Sequence, residues 1–172
     1  SNLQHLIRKE LVKAELDFNS IGSAAILMKV DNGEILSLVS LPDYDLNQRV
    51  TISDNIYANK ITLGVYELGS VFKTFTIAAG LENKLINPNT IFKNLESNLT
   101  CDKYTISEHD KLPKNLSVEE ILIRSSNIGS VRIAQKLGIE KYKSFLNTLG
   151  LLDTIKFDLE EVGTPLSFRW GK

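Results

Sequence analysis

Ser70 and Lys73, which lie three residues apart, are the first residues of the chain whose types and spacing could do chemistry. They stand at the head of the apolar run GSVFKTFTIAAGLENK, which predicts a helix from about Ser70 to Lys84. Residues three apart share one face of a helix, so we expect the hydroxyl and the amine within hydrogen-bonding reach. Apolar neighbours and the positive end of the helix would lower the pKa of the amine. A neutral Lys73 could then accept the proton of Ser70 and make the hydroxyl a nucleophile, with the Ser70 N–H as an oxyanion donor.

A second polar cluster, Ser125-Ser126-Asn127, falls between two predicted helices, where side chains can project into a cleft. A hydroxyl and a carboxamide beside a serine–lysine pair could relay a proton to a leaving amine and hold a substrate amide. Simpler interpretations stay open for both clusters. Ser70 could cap its helix while Lys73 is solvated, and Ser126 or Asn127 could cap the next helix while Ser125 faces the cleft.

Other candidate sites are weaker. Gly64 and Gly69 have the glycine spacing of a phosphate-binding P-loop, but Ser70 and Val71 follow where that loop needs lysine and then serine or threonine. His109 lies beside Glu108 and Asp110 in a polar stretch, which is typical of solvated side chains, and no second histidine is placed to complete a metal site.

Composition narrows the class of protein. The chain has 172 residues, 42% of them hydrophobic and 24% charged, which is typical of one globular domain with a real core. The net charge of -1 gives no reason to expect nucleic acid or an anionic membrane surface as partner. The single cysteine, Cys101, excludes an internal disulfide and a multi-cysteine metal site. No apolar run approaches the length of a bilayer span.

The elements that must position these residues follow from apolar periodicity and turn signals. Asn32-Gly33 between two apolar runs predicts a hairpin, and Ser117-Val118-Glu119-Glu120 predicts a capping box with Leu116 and Ile121 as its hydrophobic staple. The predicted elements are an amphipathic helix over 3–18, strands Ala24–Val30 and Ile35–Ser40, and helices over 117–124, 128–137 and 140–149, the last two closed by Gly138 and Gly150. Residues 42–66 are predicted to be mostly loop, and residues 90–114 are predicted to be loop-rich.

The combination of segments resembles a known family. YELGSVFKTFTIAAGLE and IRSSNIGSVRIAQKLG are similar to the Ser-x-x-Lys and Ser-x-Asn segments of class B penicillin-binding proteins, the peptidoglycan transpeptidases. AAILMKVDNGEILSLVSLPDYDLN is similar to the opening strands of that family, and LGLLDTIKFDLEEVGTPL is similar to its division-specific, FtsI-type branch. Four segments in family order are more specific than any single motif.

The resemblance implies a fold and a function. It implies the α+β, serine β-lactamase-like transpeptidase fold, in which a five-stranded antiparallel sheet lies between helices and a helical subdomain lies beside it. Ser70 would attack D-alanyl-D-alanine stem peptides and would be acylated by β-lactams. Lys73 would be the base, and Ser125 and Asn127 would assist proton transfer and substrate binding. The resemblance implies no metal or cofactor. It places the domain on the periplasmic side of the bacterial inner membrane, with cell-division membrane proteins and a glycan polymerase as partners in septal wall synthesis.

The family's third motif, Lys-Ser/Thr-Gly, does not occur in this sequence. We therefore expect a partial transpeptidase domain that is catalytically incomplete alone, made of a helix and hairpin (1–45), a loop region (46–69), a helical subdomain (70–150) and a tail (151–172). An open edge of the strand Ile35–Ser40 or of its neighbouring strand would then favour a dimer or a swapped arrangement. Two alternatives stay open: a penicillin-hydrolysing or penicillin-sensing domain of the same fold, and a non-catalytic binding module.

Overall fold

The computed structural model describes residues 2–45, 47, 58–101, 103–159 and 161–165. These residues fall into two compact units, one drawn from 1–66 and 154–166 and the other from 67–153 and 167–172. All the candidate catalytic residues named above belong to the second unit. Among the described residues, no helix combines the length and the apolarity that a membrane crossing requires.

The first unit is built on a helix and a hairpin. Helix α1 (Asn2–Phe18) packs on the antiparallel strands β1 (Ser23–Met28) and β2 (Ile35–Leu41). Gly33 adopts a φ of +75° in the turn, where the Lys29 N–H donates to the carbonyl of Glu34 at 2.8 Å. The predicted helix and hairpin are confirmed, and each strand boundary shifts by two residues or fewer. In the described part of the predicted loop, 42–45, 47 and 58–66, no helix or strand forms, and the rest of that loop lies outside the described residues.

Helix α1 covers part of the outer edge of β2. The Gln4 side chain accepts from the Leu38 N–H at 3.0 Å and donates to the Leu38 carbonyl at 2.6 Å, as a neighbouring strand would. Ser37 Oγ also donates to Gln4 Oε1, at 2.6 Å. The edge that we expected to be open is therefore occupied at Leu38, and a dimer through this strand stays a prediction.

The second unit carries the candidate site. It begins with a 3₁₀ helix, Gly69–Phe72, that continues directly into α2 (Lys73–Glu82). Two short sheets follow, one that pairs β3 (Ile91–Phe92) with β6 (Leu116–Ser117) and one that pairs β4 (Asn98–Cys101) with β5 (Tyr104–Ser107). The remaining described helices of this unit are α3 (Val118–Ile123), α4 (Asn127–Leu137) and α5 (Ile139–Thr148).

The region 90–114, predicted to be loop-rich, also contains the short strands β3, β4 and β5, which were not predicted from the sequence. Leu99 and Ile106 are directly paired across the β4–β5 hairpin, and both pack against the core. This one apolar pair is enough to stabilise the hairpin, because the face that carries it packs against the core. The polar residues around it concealed this signal in the sequence.

The second unit has its own hydrophobic core. Its members are buried aliphatic residues from α2, α3, α4 and the segments between them: Ile77, Ile86, Leu95, Leu116, Val118, Ile121, Ile128 and Ile133. The predicted capping box is confirmed, since Ser117 Oγ accepts from the Glu120 N–H at 3.1 Å and the Ser117 N–H donates to Glu120 Oε2 at 2.8 Å. The three predicted helices are confirmed to within about one residue, and Gly138 and Gly150 end α4 and α5 with positive φ.

Candidate active site

Ser70 lies in the 3₁₀ helix rather than in the first turn of an α-helix. Its predecessor Gly69 has a φ of +55°, a conformation that residues with a Cβ rarely adopt. The residues before the 3₁₀ helix and before α2 are Leu68 and Phe72, neither of which makes a side-chain cap bond, so the interpretation of Ser70 as a helix cap was wrong. The hydrogen bond from the Val71 N–H to the Leu68 carbonyl, at 3.3 Å, is the first within the 3₁₀ helix. The Ser70 N–H lies one residue earlier and therefore has no acceptor within the helix.

Lys73 is the first residue of α2 and points at the second polar cluster. Its Nζ donates to Ser125 Oγ at 2.9 Å and to the Ser125 carbonyl at 2.5 Å, across 52 positions of sequence. The Lys73 N–H donates to the Ser70 carbonyl, but in the described structure no hydrogen bond joins the Ser70 hydroxyl to the Lys73 amine, which differs from the geometry expected from helical spacing. The side chain is half-buried, and this burial lowers the pKa of Lys73, while the negative charge of Glu108 acts in the opposite direction.

Ser125 occupies the turn that ends α3 and has a φ of +53°. The Ser125 N–H donates to the Leu122 carbonyl at 3.1 Å, and the Ser126 N–H donates to the Ile121 carbonyl at 3.0 Å. These two bonds are the Schellman motif, in which the left-handed position is usually glycine. Here a serine takes that position, so its exposed hydroxyl is held at a defined place beside Lys73.

The next two residues begin α4 without an intervening linker. Ser126 is fully buried and is the N-cap, with its Oγ accepting from the Gly129 N–H at 2.9 Å, so the capping interpretation of this residue is confirmed. Asn127 donates from Nδ2 to the Ser107 carbonyl at 2.7 Å. Its Oδ1 can therefore face a ligand amide, because Nδ2 is the atom that anchors the side chain to β5.

A cavity of about 280 Å³ lies next to these groups within the second unit. Its lining is mainly apolar and comes from the 3₁₀ helix, α2, β5 and α4: Gly69, Phe72, Lys73, Thr76, Ile106, Asn127, Ser130, Val131 and Ala134. A recess of this kind can bury an apolar part of a ligand while the amine and the carboxamide bind its polar part.

Comparison with known proteins decides the family. A model of the penicillin binding protein transpeptidase domain matches residues 23–170. The chain belongs to this family. It is 32% identical over 167 residues to the probable peptidoglycan D,D-transpeptidase FtsI of Caulobacter vibrioides, covering 97% of this chain and 28% of that protein. It is 28% identical over 170 residues to the stage V sporulation protein D of Bacillus subtilis, covering 98% of this chain and 26% of that protein.

Solved structures agree with the fold expected of a penicillin-binding protein transpeptidase. The transpeptidase domain of penicillin-binding protein 3 from Burkholderia pseudomallei superimposes with a TM-score of 0.79 at 25% identity, covering 94% of this chain and 44% of that one. A peptidoglycan glycosyltransferase from Burkholderia ambifaria gives a TM-score of 0.83 at 25% identity, covering 99% and 50%. The family and the α+β fold implied by the resemblance are therefore confirmed. The chain spans about a quarter of the length of the curated relatives named above.

The weaker candidate sites do not form in this transpeptidase chain. Residues 58–66, which precede Gly69, form turns rather than the strand that a P-loop needs before it. His109 Nδ1 lies 3.8 Å from Asp110 Oδ1 with both side chains exposed, as expected of solvated groups. Within the described ranges, no group of three histidine, cysteine, aspartate or glutamate residues could hold a metal ion.

Glu108 is a site residue that the sequence pattern does not single out, because it lies beside His109 and Asp110 in a polar stretch. It follows β5, and its carboxylate accepts from Ser126 Oγ at 2.6 Å, the Asn127 N–H at 2.8 Å and the Ile128 N–H at 2.9 Å. A signal was present in the sequence: LTC and YTI are short runs of apolar and β-branched residues separated by two polar ones, which is a hairpin pattern. That pattern would have placed Glu108 at the end of a strand.

Proposed function

We propose that the complete protein that contains this chain is a peptidoglycan D,D-transpeptidase of FtsI type, a serine acyltransferase that cross-links stem peptides. Family membership and the names of the relatives support the reaction class. The observation that carries the proposal is the pair of hydrogen bonds from Lys73 Nζ to Ser125, which brings the Ser-x-x-Lys and Ser-x-Asn motifs to one amine.

In the first half-reaction, Ser70 Oγ attacks the carbonyl carbon between the two terminal D-alanines of a stem peptide. A neutral Lys73 accepts the hydroxyl proton, and burial favours this form because it lowers the pKa of the amine. The C–N bond then breaks, and the departing D-alanine takes a proton from the Lys73 ammonium through Ser125 Oγ, which lies 2.9 Å from Nζ. The product is an ester of Ser70.

In the second half-reaction, an amine from a neighbouring strand of peptidoglycan attacks that ester. The amine loses a proton to the Lys73–Ser125 pair and a new amide bond forms. The ester C–O bond breaks, and Ser70 Oγ takes a proton from the Lys73 ammonium to recover its hydroxyl. The oxyanion of each tetrahedral intermediate needs N–H donors, and the Ser70 N–H at the start of the 3₁₀ helix is suited to be one of them. Asn127 would bind a backbone amide of the stem peptide.

The wider setting is also part of the proposal. A penicillin would acylate Ser70 as a substrate mimic, and the protein would act in septal wall synthesis with division proteins and a glycan polymerase, its catalytic domain on the periplasmic side of the inner membrane. No metal or cofactor enters this reaction. Because the sequence contains no Lys-Ser/Thr-Gly triplet, we propose that these 172 residues alone do not complete the reaction.

The experiment that tests this function is covalent labelling of the complete protein by a penicillin, read by intact mass and by mapping of the modified peptide. We expect one adduct, at Ser70, that is absent from the Ser70→Ala variant. The absence of an adduct with several penicillins would refute the proposal. An adduct that forms and is rapidly released as hydrolysed penicillin would identify a penicillin-hydrolysing enzyme instead. Undiminished wall cross-linking in cells whose only copy of the protein carries Ser70→Ala would favour a non-catalytic binding module.

A further inference from the structure

We infer that Glu108 is a positioning residue of the acylation site, whose carboxylate holds the Ser125–Asn127 junction in place against Lys73. This inference rests on the proposed function and adds to it a residue outside the family motifs quoted above. The structural basis is one carboxylate, beyond the end of β5, that binds three successive residues at the start of α4.

Glu108 and Ser126 together accept the hydrogen bonds that begin α4. Ser126 Oγ accepts from the Gly129 N–H, and Glu108 accepts from the N–H groups of Asn127 and Ile128. All three N–H groups belong to the first turn, where a helix supplies no acceptors of its own. A remote carboxylate at the positive end of a helix is also favoured electrostatically. The direction in which α4 begins therefore depends on Glu108.

Ser125 lies between two turns, each of which is held by hydrogen bonds. Its N-terminal side is closed by the Schellman bonds of α3, and its C-terminal neighbour Ser126 donates from Oγ to Glu108 at 2.6 Å. Between them, the backbone of Ser125 is held at a φ of +53°, which is unfavourable for a residue with a Cβ and is maintained by the surrounding structure. The carbonyl and hydroxyl that meet Lys73 are displaced if this junction relaxes.

Glu108 also acts on Lys73 through its negative charge. Glu108 raises the pKa of Lys73 and so opposes the effect of burial. Other charged and titratable groups on the neighbouring elements interact elsewhere or are exposed. Tyr142 of α5 hydrogen-bonds Thr76 at 2.6 Å, and Arg132 of α4 donates to Gln135. Further groups are Lys136, which lies over the ring of Phe92, Arg124, whose charge acts on Glu120, and Glu119, which is exposed.

The test compares Glu108→Gln with Glu120→Gln in the complete protein. Both changes remove one charge and weaken one helix cap, but Glu120 caps α3 through the Ser117 N–H and makes no bond to the junction. Two quantities are measured for each variant. One is the pH profile of the acylation rate with a penicillin. The other is the titration of Lys73 by NMR of 13Cε-labelled lysine, which needs no substrate.

We expect Glu108→Gln to lower the plateau rate of acylation by about tenfold or more, the usual effect of losing a charge-assisted hydrogen bond. The acid limb of its pH–rate profile and the titration of Lys73 should both move to lower pH, because the carboxylate that raises the pKa of Lys73 is absent. Glu120→Gln should keep the wild-type rate and titration. Glu108→Asp keeps the charge, but its side chain is one methylene too short to make all three hydrogen bonds. It should therefore lower the plateau rate of acylation and leave the acid limb of the pH–rate profile almost unshifted.

A Glu108→Gln variant with the wild-type plateau and the wild-type Lys73 titration would overturn the inference. If Glu108→Gln does not fold, Glu108→Asp decides, and a plateau within about twofold of wild type would refute the inference. If Glu120→Gln lost as much acylation rate as Glu108→Gln, Glu108 would act only as an ordinary helix cap, and the positioning role would be refuted. If the wild-type protein takes no adduct, the proposed function fails, and the Lys73 titration still shows whether Glu108 acts on the amine.

Discussion

Replacing Ser125 by glycine and, separately, by alanine tests whether the junction between α3 and α4 is held in the left-handed conformation. Both substitutions remove the hydroxyl that lies 2.9 Å from Lys73 Nζ, so their difference reports the backbone alone. At a φ of +53°, alanine bears a cost of roughly 1–2 kcal/mol that glycine escapes. Glycine loses about 0.5–1 kcal/mol more conformational entropy on folding. We therefore expect the glycine variant to be more stable than the alanine variant by about 0.5–1 kcal/mol.

The assay is the thermal unfolding of the complete protein carrying each substitution, where a difference of this size corresponds to about 2 °C for a domain of this class. Ser144 is the matched control, because it is an exposed serine inside α5. At a regular helical position glycine is less stable than alanine by about 1 kcal/mol, so the order of the two variants should be reversed there. The reversal separates the left-handed turn from any general effect of glycine.

Two results would refute this reasoning. If alanine at position 125 were as stable as glycine, the turn would not hold Ser125 in the left-handed conformation in solution. If the two variants differed strongly in the rate of acylation, the backbone rather than the hydroxyl would determine function at this position. We expect equal rates, both well below that of the wild type, since each lacks the hydroxyl placed between Lys73 and the leaving group.

Three further predictions concern the amine and the core beneath it. The rate of Ser70 acylation should rise with pH, and the midpoint of this rise should lie below the ordinary pKa of lysine because burial lowers the pKa of Lys73. In Lys73→Met the rate should fall by about 10²-fold or more, and this pH dependence should be lost. An unchanged rate and pH dependence in Lys73→Met would exclude Lys73 as the base. Gly129→Ala should destabilise the protein by about 1–3 kcal/mol in denaturant titrations, because a Cβ at this position would lie 2.6 Å from Ile121 Cγ1 and 2.9 Å from Ser126 Oγ. An unchanged unfolding midpoint would contradict this close packing. Ile121→Ala should cost about 2–5 kcal/mol in the same titration, because Ile121 is fully buried in the core, and a loss below about 1 kcal/mol would place it at the surface.

The segments whose structure is set by local interactions were predictable. The α3 capping box needs only the spacing of Ser117 and Glu120, and the ends of α4 and α5 need only a glycine that adopts positive φ. The hairpin around Gly33 is equally local. The start of the helix near Ser70 was less accurate, because whether a first turn is 3₁₀ or α depends on what packs against it rather than on its residues alone.

The partner of Lys73 was not predictable from local spacing. Helical periodicity pointed from Lys73 to Ser70, whereas in the structure the amine donates to Ser125, 52 positions away. Nor could spacing distinguish Glu108 from its neighbours His109 and Asp110, because three acidic or basic residues in a polar stretch have the same local signature. Only the docking of the β5 end against the start of α4 gives Glu108 its three donors and leaves the other two in solvent.

The sequence by itself determined the types of chemical group available, the order of the two motifs and the local signals that begin and end the helices. These features depend on residues within about four positions of one another, which is the range over which capping and helical side-chain pairing act. The tertiary structure decided which groups meet: Lys73 with Ser125, Asn127 with Ser107, and Glu108 with the first turn of α4. Burial also set the protonation tendency of Lys73, because desolvation depends on the packing around the amine and not on its neighbours in sequence.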